Sequence, residues 1–414
     1  MERILVVEDN KTLANLISKK ISSELDFEVD IAYNMSESKL FLKKYSYFLT
    51  LLDLNLPDAP NGEIVDYVLG TKNRALVLTG NIDKNFRKEI LQKNVIDYVT
   101  KGGVGDINYI IQTLKRLDKN REHKILVVDD SMVFRKQMKN MLENLFYQVI
   151  TVAHGEEAMG ILNTNPDISL VLTDYNMPVM NGLELTQEIR KTHTKNDLSV
   201  IAISSNNEDE INAQFLKQGA NDYITKPFSK EEFSCRINNS IEALENIHII
   251  TNHANRDFLT GLYNRRFFFK DVQAYFDFAV ENNENFAVAM IDIDHFKKIN
   301  DTYGHDTGDK AIVNLSETLR ANTAQGDVVA RFGGEEFCIV LKNVGQQRAS
   351  EICEELRRKV EGSVTVSDKG EEIRFTISIG LALSHEDTLD ATVNEADMLL
   401  YNAKTGGRNR VEAN

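Results

Sequence analysis

Residues 323–341 read TAQGDVVARFGGEEFCIVL, with two glycines and two glutamates between two apolar runs. The runs Val328–Phe332 and Phe337–Leu341 each predict a β-strand. Gly333 and Gly334 suit the tight turn of a hairpin, because glycine adopts positive φ without steric cost. The adjacent carboxylates of Glu335 and Glu336 repel each other at this tip. The stretch therefore predicts either a solvated turn or a metal site, and the rest of the chain has to decide between them.

The bulk composition fits a multidomain globular protein. A chain of 414 residues has room for roughly two to four domains. The apolar fraction of 42% and the charged fraction of 27% are ordinary for such domains. The formal net charge of −15 argues against a nucleic-acid polymer as partner, because that surface needs a basic footprint. A small nucleotide in a local pocket stays compatible with this charge.

Cysteine usage and hydropathy predict a cytoplasmic protein. Cys235, Cys338 and Cys353 are far apart and show neither metal-ligand spacing nor a disulfide framework, which favours a reducing compartment. No apolar run approaches the ~20 residues of a membrane span, so no membrane insertion is expected. The opening residues MERILVVEDN indicate a strand rather than a signal peptide.

The first part of the chain contains an internal repeat. ILVVED begins at Ile4 and ILVVDD at Ile125, while LLDLNLPDAPNG contains Asp53 and VLTDYNMPVMNG contains Asp174. This distance predicts two tandem domains, 1–120 and 121–243, because solenoid units run only ~20–50 residues. In each copy short apolar strands alternate with amphipathic helices. That pattern predicts βαβ units and an α/β, doubly wound (flavodoxin-like) parallel sheet.

Acidic residues follow the predicted strands of both copies, where ligands of such sheets bind. Three carboxylates at one sheet edge repel unless a hard cation such as Mg²⁺ lies among them. A lysine and a hydroxyl at later strand ends could meet an incoming phosphoryl group. The alternative is a set of ordinary acidic loops, but the repeated arrangement favours phosphoryl transfer onto an aspartate. The residues are Glu8, Asp9, Asp53, Thr79 and Lys101 in the first copy, and Asp129, Asp130, Asp174, Ser204 and Lys226 in the second.

On these motifs, both copies resemble the receiver domains of response regulators. The resemblance implies that Asp53 or Asp174 accepts phosphate from a sensor histidine kinase. It also implies one Mg²⁺ per receiver, bound by the acid pair and a backbone carbonyl. The carbonyls would be those of Asn55 and Asn176, and the switch aromatics would be Tyr98 and Tyr223. The second copy keeps the Lys-Pro step of the family, whereas the first has Lys101 followed by glycine.

A helical stripe leads out of the second copy. Ser229 and Glu232 have the spacing of a capping box. Apolar residues then follow at steps of three and four, namely Phe233, Ile237, Ile241, Leu244 and Ile247. We expect the first half of this helix to pack on the second receiver, and residues 244–256 to form a connecting helix.

Residues 257–414 show a different pattern, β-α-α-β-β-α-β, which predicts an α+β domain with an antiparallel sheet. Asp292 ends a buried strand, and its position beside the hairpin glutamates suits a palm-like nucleotidyl transferase with two Mg²⁺ ions. Asp292 and the Ile293 carbonyl would bind metal from one side, and Glu335 and Glu336 from the other. Lys297, Lys404 and Arg408 are cations placed for phosphates, and Asn300 and Asp309 suit the edge of guanine. Taken singly, these residues also fit an ordinary helix lysine, a helix cap and a basic tail.

This domain resembles the GGDEF family of diguanylate cyclases, whose palm-like fold condenses two GTP into cyclic di-GMP. The matching motifs are Asp257–Arg266, Asp292–Asp309, Gly333–Phe337 and Lys404–Arg408. The resemblance implies that Asp292, Ile293 and Glu335 bind Mg²⁺ with Glu336 close by, and that Glu335 is the candidate base. It further implies that Lys297 stabilises the transition state, and that Asn300, His305 and Asp309 contact GTP. Because the product is two-fold symmetric, we expect a homodimer.

One feature of the family is absent. Many members carry an Arg-x-x-Asp motif that binds product and inhibits the enzyme, but Ala324 stands at the arginine position before Asp327. We therefore expect weak or absent product inhibition through this site. The rival function is a catalytically idle nucleotide-binding or scaffold module of a two-component pathway. A cyclase that uses ATP is a weaker third possibility.

Overall fold

The computed structural model describes residues 2–80, 93–100, 104–205, 209–282, 284–383 and 388–414. Contacts divide the chain into two compact units, Met1–His248 and Ile249–Asn414. Within the described residues, no helix combines the length and apolar character needed to cross a membrane.

The first unit opens with a five-stranded sheet in the order β2-β1-β3-β4-β5, in which every pair is parallel. Strands β3 and β4 are buried along their whole length, as expected for strands covered by helices on both faces. The strands are β1 (Glu2–Val7), β2 (Phe27–Ala32), β3 (Leu49–Asp53), β4 (Ala75–Thr79) and β5 (Asp97–Thr100). The described helices are α1 (Lys11–Glu24), α2 (Met35–Lys44), α3 (Glu63–Gly70) and α4 (Val104–Asn120).

A second parallel sheet repeats this topology in the order β7-β6-β8-β9-β10. Its strands are β6 (Lys124–Val128), β7 (Gln148–Val152), β8 (Ile168–Asp174), β9 (Ser199–Ser205) and β10 (Asp222–Lys226). Its helices are α5 (Met132–Asn144), α6 (Gly155–Thr164), α7 (Gly182–Thr192), α8 (Asp209–Lys217) and α9 (Lys230–Asn255). The prediction of two doubly wound domains is confirmed.

The two sheets of the first unit share one hydrophobic cluster. Phe48 and Leu117 from the first half belong to the same buried cluster as Leu145 and Tyr147 from the second. The Phe48 ring stacks on the Phe146 ring, with 4.3 Å between centroids. The two receiver-like halves therefore pack against each other as one compact body rather than as two separate domains joined by a linker.

Helix α9 begins in the second half and is continuous over 26 residues. Its buried residues are Phe233, Ile237, Ile241 and Leu244. Beyond them Ile249 and Ile250 are exposed. Four of the five residues of the predicted apolar stripe are therefore buried, and all four lie in the first part of the helix.

The second unit is built on a six-stranded sheet in the order β11-β13-β14-β12-β17-β18. Its strands are β11 (Tyr263–Asn264), β12 (Phe286–Ile293), β13 (Val328–Gly333), β14 (Glu336–Lys342), β17 (Ile377–Ala382) and β18 (Val411–Ala413). The helices are α10 (Arg265–Asn282), α11 (Phe296–Tyr303), α12 (His305–Ala321), α13 (Gln346–Gly362) and α14 (Leu389–Thr405). A two-stranded ribbon pairs β15 (Thr365–Val366) with β16 (Glu372–Ile373).

The centre of this sheet is antiparallel, as predicted, but both edges are parallel. Strand β11 pairs in parallel with β13, and β18 pairs in parallel with β17. The predicted antiparallel pairing is thus present at the centre, and the parallel pairing at the two edges was not predicted. The reason at one edge is that α14 lies between β17 and β18, and a helical crossover returns the chain in the same direction.

Candidate active site

The acidic residues of the first receiver converge at the carboxyl ends of two neighbouring strands. Glu8 and Asp9 follow β1, Asp53 ends β3, and these strands pair directly. One carboxylate oxygen from each of the three residues lies within 4.8 Å of the others. Glu8 and Asp53 are buried, while Asp9 is exposed. This donor set fits a hard divalent cation such as Mg²⁺.

The remaining first-receiver residues surround this cluster to different degrees. The Asn55 backbone amide donates to Asp53 Oδ1 at 3.2 Å. Thr79 is buried at the end of β4, and Tyr98 is half-buried on β5. Lys101 lies outside the described residues.

In the second receiver, a lysine lies directly on the carboxylates. Lys226 Nζ is 2.5 Å from Asp174 Oδ1 and 3.3 Å from Asp129 Oδ2. Burial raises the pKa of the Asp129 carboxyl, and the Lys226 charge opposes that rise. The lysine expected to meet a phosphoryl group thus forms ion pairs with Asp129 and with the predicted phosphoacceptor Asp174. Asp130 is exposed next to Asp129.

Other predicted residues of this receiver border the same strand ends. The Asn176 backbone amide donates to Asp174 Oδ2 at 2.9 Å. Ser204 is buried on β9, and Tyr223 is half-buried on β10.

Strand pairing brings the hairpin glutamates to Asp292 in the second unit. Strand β12 lies between β14 and β17, and its register places Asp292 opposite Glu336 on one side and Ser378 on the other. Asp292 is only 6% exposed. Burial raises its pKa to about 6, the charges of Glu335 and Glu336 add to the rise, and Lys404 opposes it. A buried aspartate beside two half-buried glutamates forms a donor set that fits Mg²⁺.

An arginine braces the hairpin that carries the glutamates. Arg331 donates two hydrogen bonds to the Gly334 carbonyl oxygen, at 2.8 and 3.0 Å. It also bonds Asp257 Oδ1 at 2.9 Å. Gly333 and Gly334 both have positive φ, as the predicted turn requires.

Two cations lie at the end of the last long helix, Lys404 in its last turn and Arg408 just after it. Lys404 Nζ is 2.8 Å from Asp292 Oδ2, so it contacts the predicted metal-binding carboxylate itself. Arg408 is exposed and has a left-handed φ of 65°. The sequence predicts phosphate contacts for both residues and gives no sign of the ion pair.

The predicted substrate residues lie on α11 and α12, which are joined by Gly304. Lys297, His305 and Asp309 are exposed, and Asn300 is half-buried. A Cβ atom placed on Gly308 would overlap Asn300 Oδ1. Gly308 therefore gives this asparagine its place, although the sequence analysis did not single it out.

The degenerate inhibitory motif has a structural role in the hairpin. Asp327 Oδ2 accepts a hydrogen bond from the Ala324 amide at 2.8 Å, and Oδ1 accepts one from the Lys342 amide at 3.0 Å. Both carboxylate oxygens are thus bound to backbone, while Ala324 is exposed.

Sequence reasoning also missed a buried carboxylate. Asp294 is 4% exposed and accepts hydrogen bonds from Thr376, Ser378 and Asn409. The signal was the alternation IDID, in which a second aspartate follows Asp292 at the two-residue period of a strand.

Comparisons with known proteins agree with both units. The response regulator receiver domain family matches residues 4–113 and 125–238, and the diguanylate cyclase, GGDEF domain family matches residues 254–410. Response regulator PleD of Caulobacter vibrioides is 26% identical over 451 residues, which cover 99% of this chain and 98% of PleD. Diguanylate cyclase DosC of Escherichia coli is 39% identical over 158 residues, 38% of this chain and 34% of DosC.

A solved structure joins the two families in one chain. It is a putative two-component system response regulator/GGDEF domain protein, 34% identical, with a TM-score of 0.53. The match covers 59% of this chain and 100% of that structure. The protein therefore belongs to the response regulators in which two receiver domains precede a GGDEF diguanylate cyclase domain.

Proposed function

We propose that this response regulator condenses two GTP into cyclic di-GMP and pyrophosphate, under the control of receiver phosphorylation. The observation that carries the proposal is the pairing of Asp292 with Glu336 across two buried strands, with Lys404 at 2.8 Å. Carboxylates that converge on one strand end, with a cation beside them, suit metal-dependent nucleotidyl transfer.

In the proposed reaction, the 3′ hydroxyl of each GTP attacks the α-phosphorus of the other, so that two phosphodiester bonds form. In each attack a Glu335 carboxylate accepts the hydroxyl proton, the bond to pyrophosphate breaks and one pyrophosphate leaves. Asp292, the Ile293 carbonyl, Glu335 and Glu336 would hold two Mg²⁺ ions, which would neutralise triphosphate charge and acidify the attacking hydroxyl. Lys297 stabilises the charge that develops on the transferred phosphoryl group.

Substrate selection would rest on α11 and α12. The amide of Asn300 and the carboxylate of Asp309 provide hydrogen-bonding groups for the guanine edge, and His305 lies on the same helix as Asp309. Lys404 and Arg408 would bind the triphosphate. An adenine base presents a different donor pattern, so ATP should be a poor substrate.

The symmetry of the product requires two GGDEF domains that face each other. Each holds one GTP, and a two-fold homodimer lets each contribute half of the active site. We propose that a sensor histidine kinase phosphorylates Asp53 or Asp174, each with one Mg²⁺, and that phosphorylation favours this dimer.

We expect the product inhibition of the family to be weak in this protein. Ala324 cannot supply the bidentate phosphate contacts of an arginine. Both oxygens of Asp327 already bond backbone amides. Titration with cyclic di-GMP by calorimetry should therefore show no tight binding at this site. Tight binding that Asp327→Ala abolishes would contradict the proposal.

Incubation with GTP and Mg²⁺, followed by mass analysis, tests the proposed function. The wild-type chain should form cyclic di-GMP, and Asp292→Asn should form at least a hundredfold less, because it loses a charged metal ligand (~3 kcal/mol). The control is Asp301→Asn, on an exposed residue of α11, which should retain activity. GTP binding without turnover in the wild type would instead support the idle binding module.

A further inference from the structure

We propose that Asp294 is a positioning residue that fixes the loop after α14, and thereby holds Arg408 where it binds the triphosphate of GTP. This inference rests on the proposed function, because Arg408 matters only if the site binds GTP. Asp294 itself makes no contact with substrate in this proposal.

The Asp294 carboxylate is an unusual group for its location, since it is only 4% exposed. Oδ1 accepts a hydrogen bond from Ser378 Oγ at 2.6 Å. Oδ2 accepts one from Thr376 Oγ1 at 2.7 Å and one from the Asn409 amide at 2.9 Å. Three donors thus satisfy the buried carboxylate. Hydrogen bonds to an ionised acceptor are stronger than those between neutral groups.

The loop that Asp294 holds has a strained backbone. Arg408 and Asn409 are consecutive non-glycine residues with left-handed φ values of 65° and 47°. Such residues persist only where their surroundings fix them. The Asn409 side chain is held as well, by Arg357 Nη1 at 2.7 Å and by Glu361 Oε1 at 2.7 Å.

The end of α14 and the loop after it together meet the end of β12 at two points. Lys404, in the last turn of the helix, contacts Asp292, and the Asn409 backbone amide in the loop contacts Asp294. Arg408 lies between these two attachments. Loss of the hydrogen bond between the Asn409 backbone amide and Asp294 would release the strained turn. The Arg408 guanidinium would then no longer be held in place relative to Asp292.

Steady-state kinetics with GTP and Mg²⁺ test the consequence. Asp294→Ala should raise KM for GTP at least tenfold and change kcat less than threefold, because it weakens binding of both substrate and transition state. Asp294→Asn should stay within threefold of the wild-type KM. Its amide oxygen, at the position of Oδ2, can accept from the Asn409 backbone amide and from Thr376, while the Ser378 hydroxyl can rotate to accept from its NH₂ group.

Two further variants separate positioning from folding. Ser378→Ala removes a donor to Oδ1 but leaves the bond from Asn409 to Oδ2, so its KM should be close to wild type. Asp294→Ser keeps a polar atom in the buried space, but its side chain is one bond too short to accept from the Asn409 backbone amide as Oδ2 does. It should raise KM as Asp294→Ala does, and it replaces that variant if the alanine chain does not fold.

Amide hydrogen exchange gives a readout that does not depend on catalysis. Exchange of residues 404–411 should be at least tenfold faster in Asp294→Ala and Asp294→Ser than in the wild type or Ser378→Ala. A wild-type protein that makes no product would overturn the proposed function but not the attachment of the loop. An active wild type, with unchanged KM and unchanged exchange in the Asp294 variants, would overturn the inference.

Discussion

Gly308 shows how the absence of one side chain can position a binding residue. The place that its Cβ would occupy is taken by Asn300 Oδ1, an atom that is buried and lacks a hydrogen-bond partner among the described residues. Phe296 Cζ would lie 3.2 Å from the same Cβ. Asn300 thus cannot keep its position beside any larger residue at 308.

We expect Gly308→Ala to raise KM for GTP about tenfold, which corresponds to ~1.4 kcal/mol of lost binding. The added methyl group must displace Asn300, while the helix itself gains up to ~1 kcal/mol from the better helix former. Michaelis–Menten kinetics together with thermal unfolding would show weaker substrate binding in a protein that is not destabilised by the helix change.

The matched control is Gly362→Ala, at the end of α13, where an added Cβ meets nothing within 4 Å. It should leave KM unchanged. Equal KM values for Gly308→Ala and the wild type would show that Asn300 does not need this location to bind GTP.

At this scale the sequence identifies residue types more readily than their partners. The hairpin glutamates and Asp292 could be named as candidate site residues because each lies in a motif of consecutive residues. The contact between Lys404 and Asp292 and the triple bonding of Asp294 could not be found in the same way. Both depend on strand register and on the path of a distant loop, which local patterns do not encode.

Among the elements, helix α9 is tied to the first receiver by one carboxylate. Arg116 on α4 forms two hydrogen bonds of 2.8 Å with Glu245. His123 Nε2 lies 2.8 Å from Glu245 Oε1. Burial raises the pKa of the Glu245 carboxyl, but the hydrogen bonds from Arg116 and His123 outweigh it and lower the pKa to about 2.

Glu245→Gln should destabilise the receiver unit at pH 7 by roughly 1 kcal/mol, a figure reduced for the partial exposure of the pair. The pKa of Glu245 in the folded chain lies below the ordinary value of 4.5. At a pH between these two pKa values, the unfolded chain therefore binds more protons than the folded chain. The stabilisation is therefore complete above pH 4.5 and is lost as the pH falls towards 2. Urea unfolding between about pH 7 and about pH 3 should show that the difference from wild type shrinks below pH 4.5, where the unfolded carboxylate starts to bind protons.

Glu242→Gln, an exposed change on the same helix, is the control and should have little effect at any pH. A Glu245→Gln difference that does not change as the pH falls below 4.5 would mean that the ionised carboxylate does not stabilise this contact.

Element types follow well from periodicity, whereas sheet edges do not. The buried runs around Ile4 and Asp53 predicted strands that the structure contains as β1 and β3. The parallel pairing of β11 with β13, and of β18 with β17, was not predicted. The reason is that β11 has only two residues and β18 only three. A segment this short shows no hydrophobic periodicity. Its direction of pairing depends on the connection that leads into it.

For the whole molecule, control by receiver phosphorylation should be detectable as stronger self-association. Treatment with beryllofluoride and Mg²⁺, a phosphate mimic, should lower the dimer dissociation constant at least tenfold and raise GTP turnover. Sedimentation and a turnover assay would measure both. Asp53→Asn and Asp174→Asn, singly and together, would show which receiver responds. A response that persists in the double variant, or no response in the wild type, would contradict phosphorylation control.

The shared cluster of the receivers predicts that they unfold together. Phe48→Ala should destabilise the receiver unit by about 3–4 kcal/mol, because its ring is buried and stacks on Phe146 of the other half. Calorimetry should show one receiver transition shifted as a whole. Leu40→Ala, at a residue 68% exposed, is the control and should shift it little. Separate transitions, only one of which moves, would show two independent bodies.

A shared core also has a consequence for how the receivers exchange information. The stacked rings of Phe48 and Phe146 belong to both halves, so a rearrangement in either half changes the energy of the other. The coupling between the two proposed metal-binding events is then a single free energy in a closed thermodynamic cycle. Whatever factor Mg²⁺ at the proposed Asp53 site imposes on Mg²⁺ affinity at the proposed Asp174 site, the second site must impose equally on the first. At equilibrium neither proposed site can control the other in one direction only, so under the proposed function the direction of signalling would be set by which aspartate is phosphorylated first.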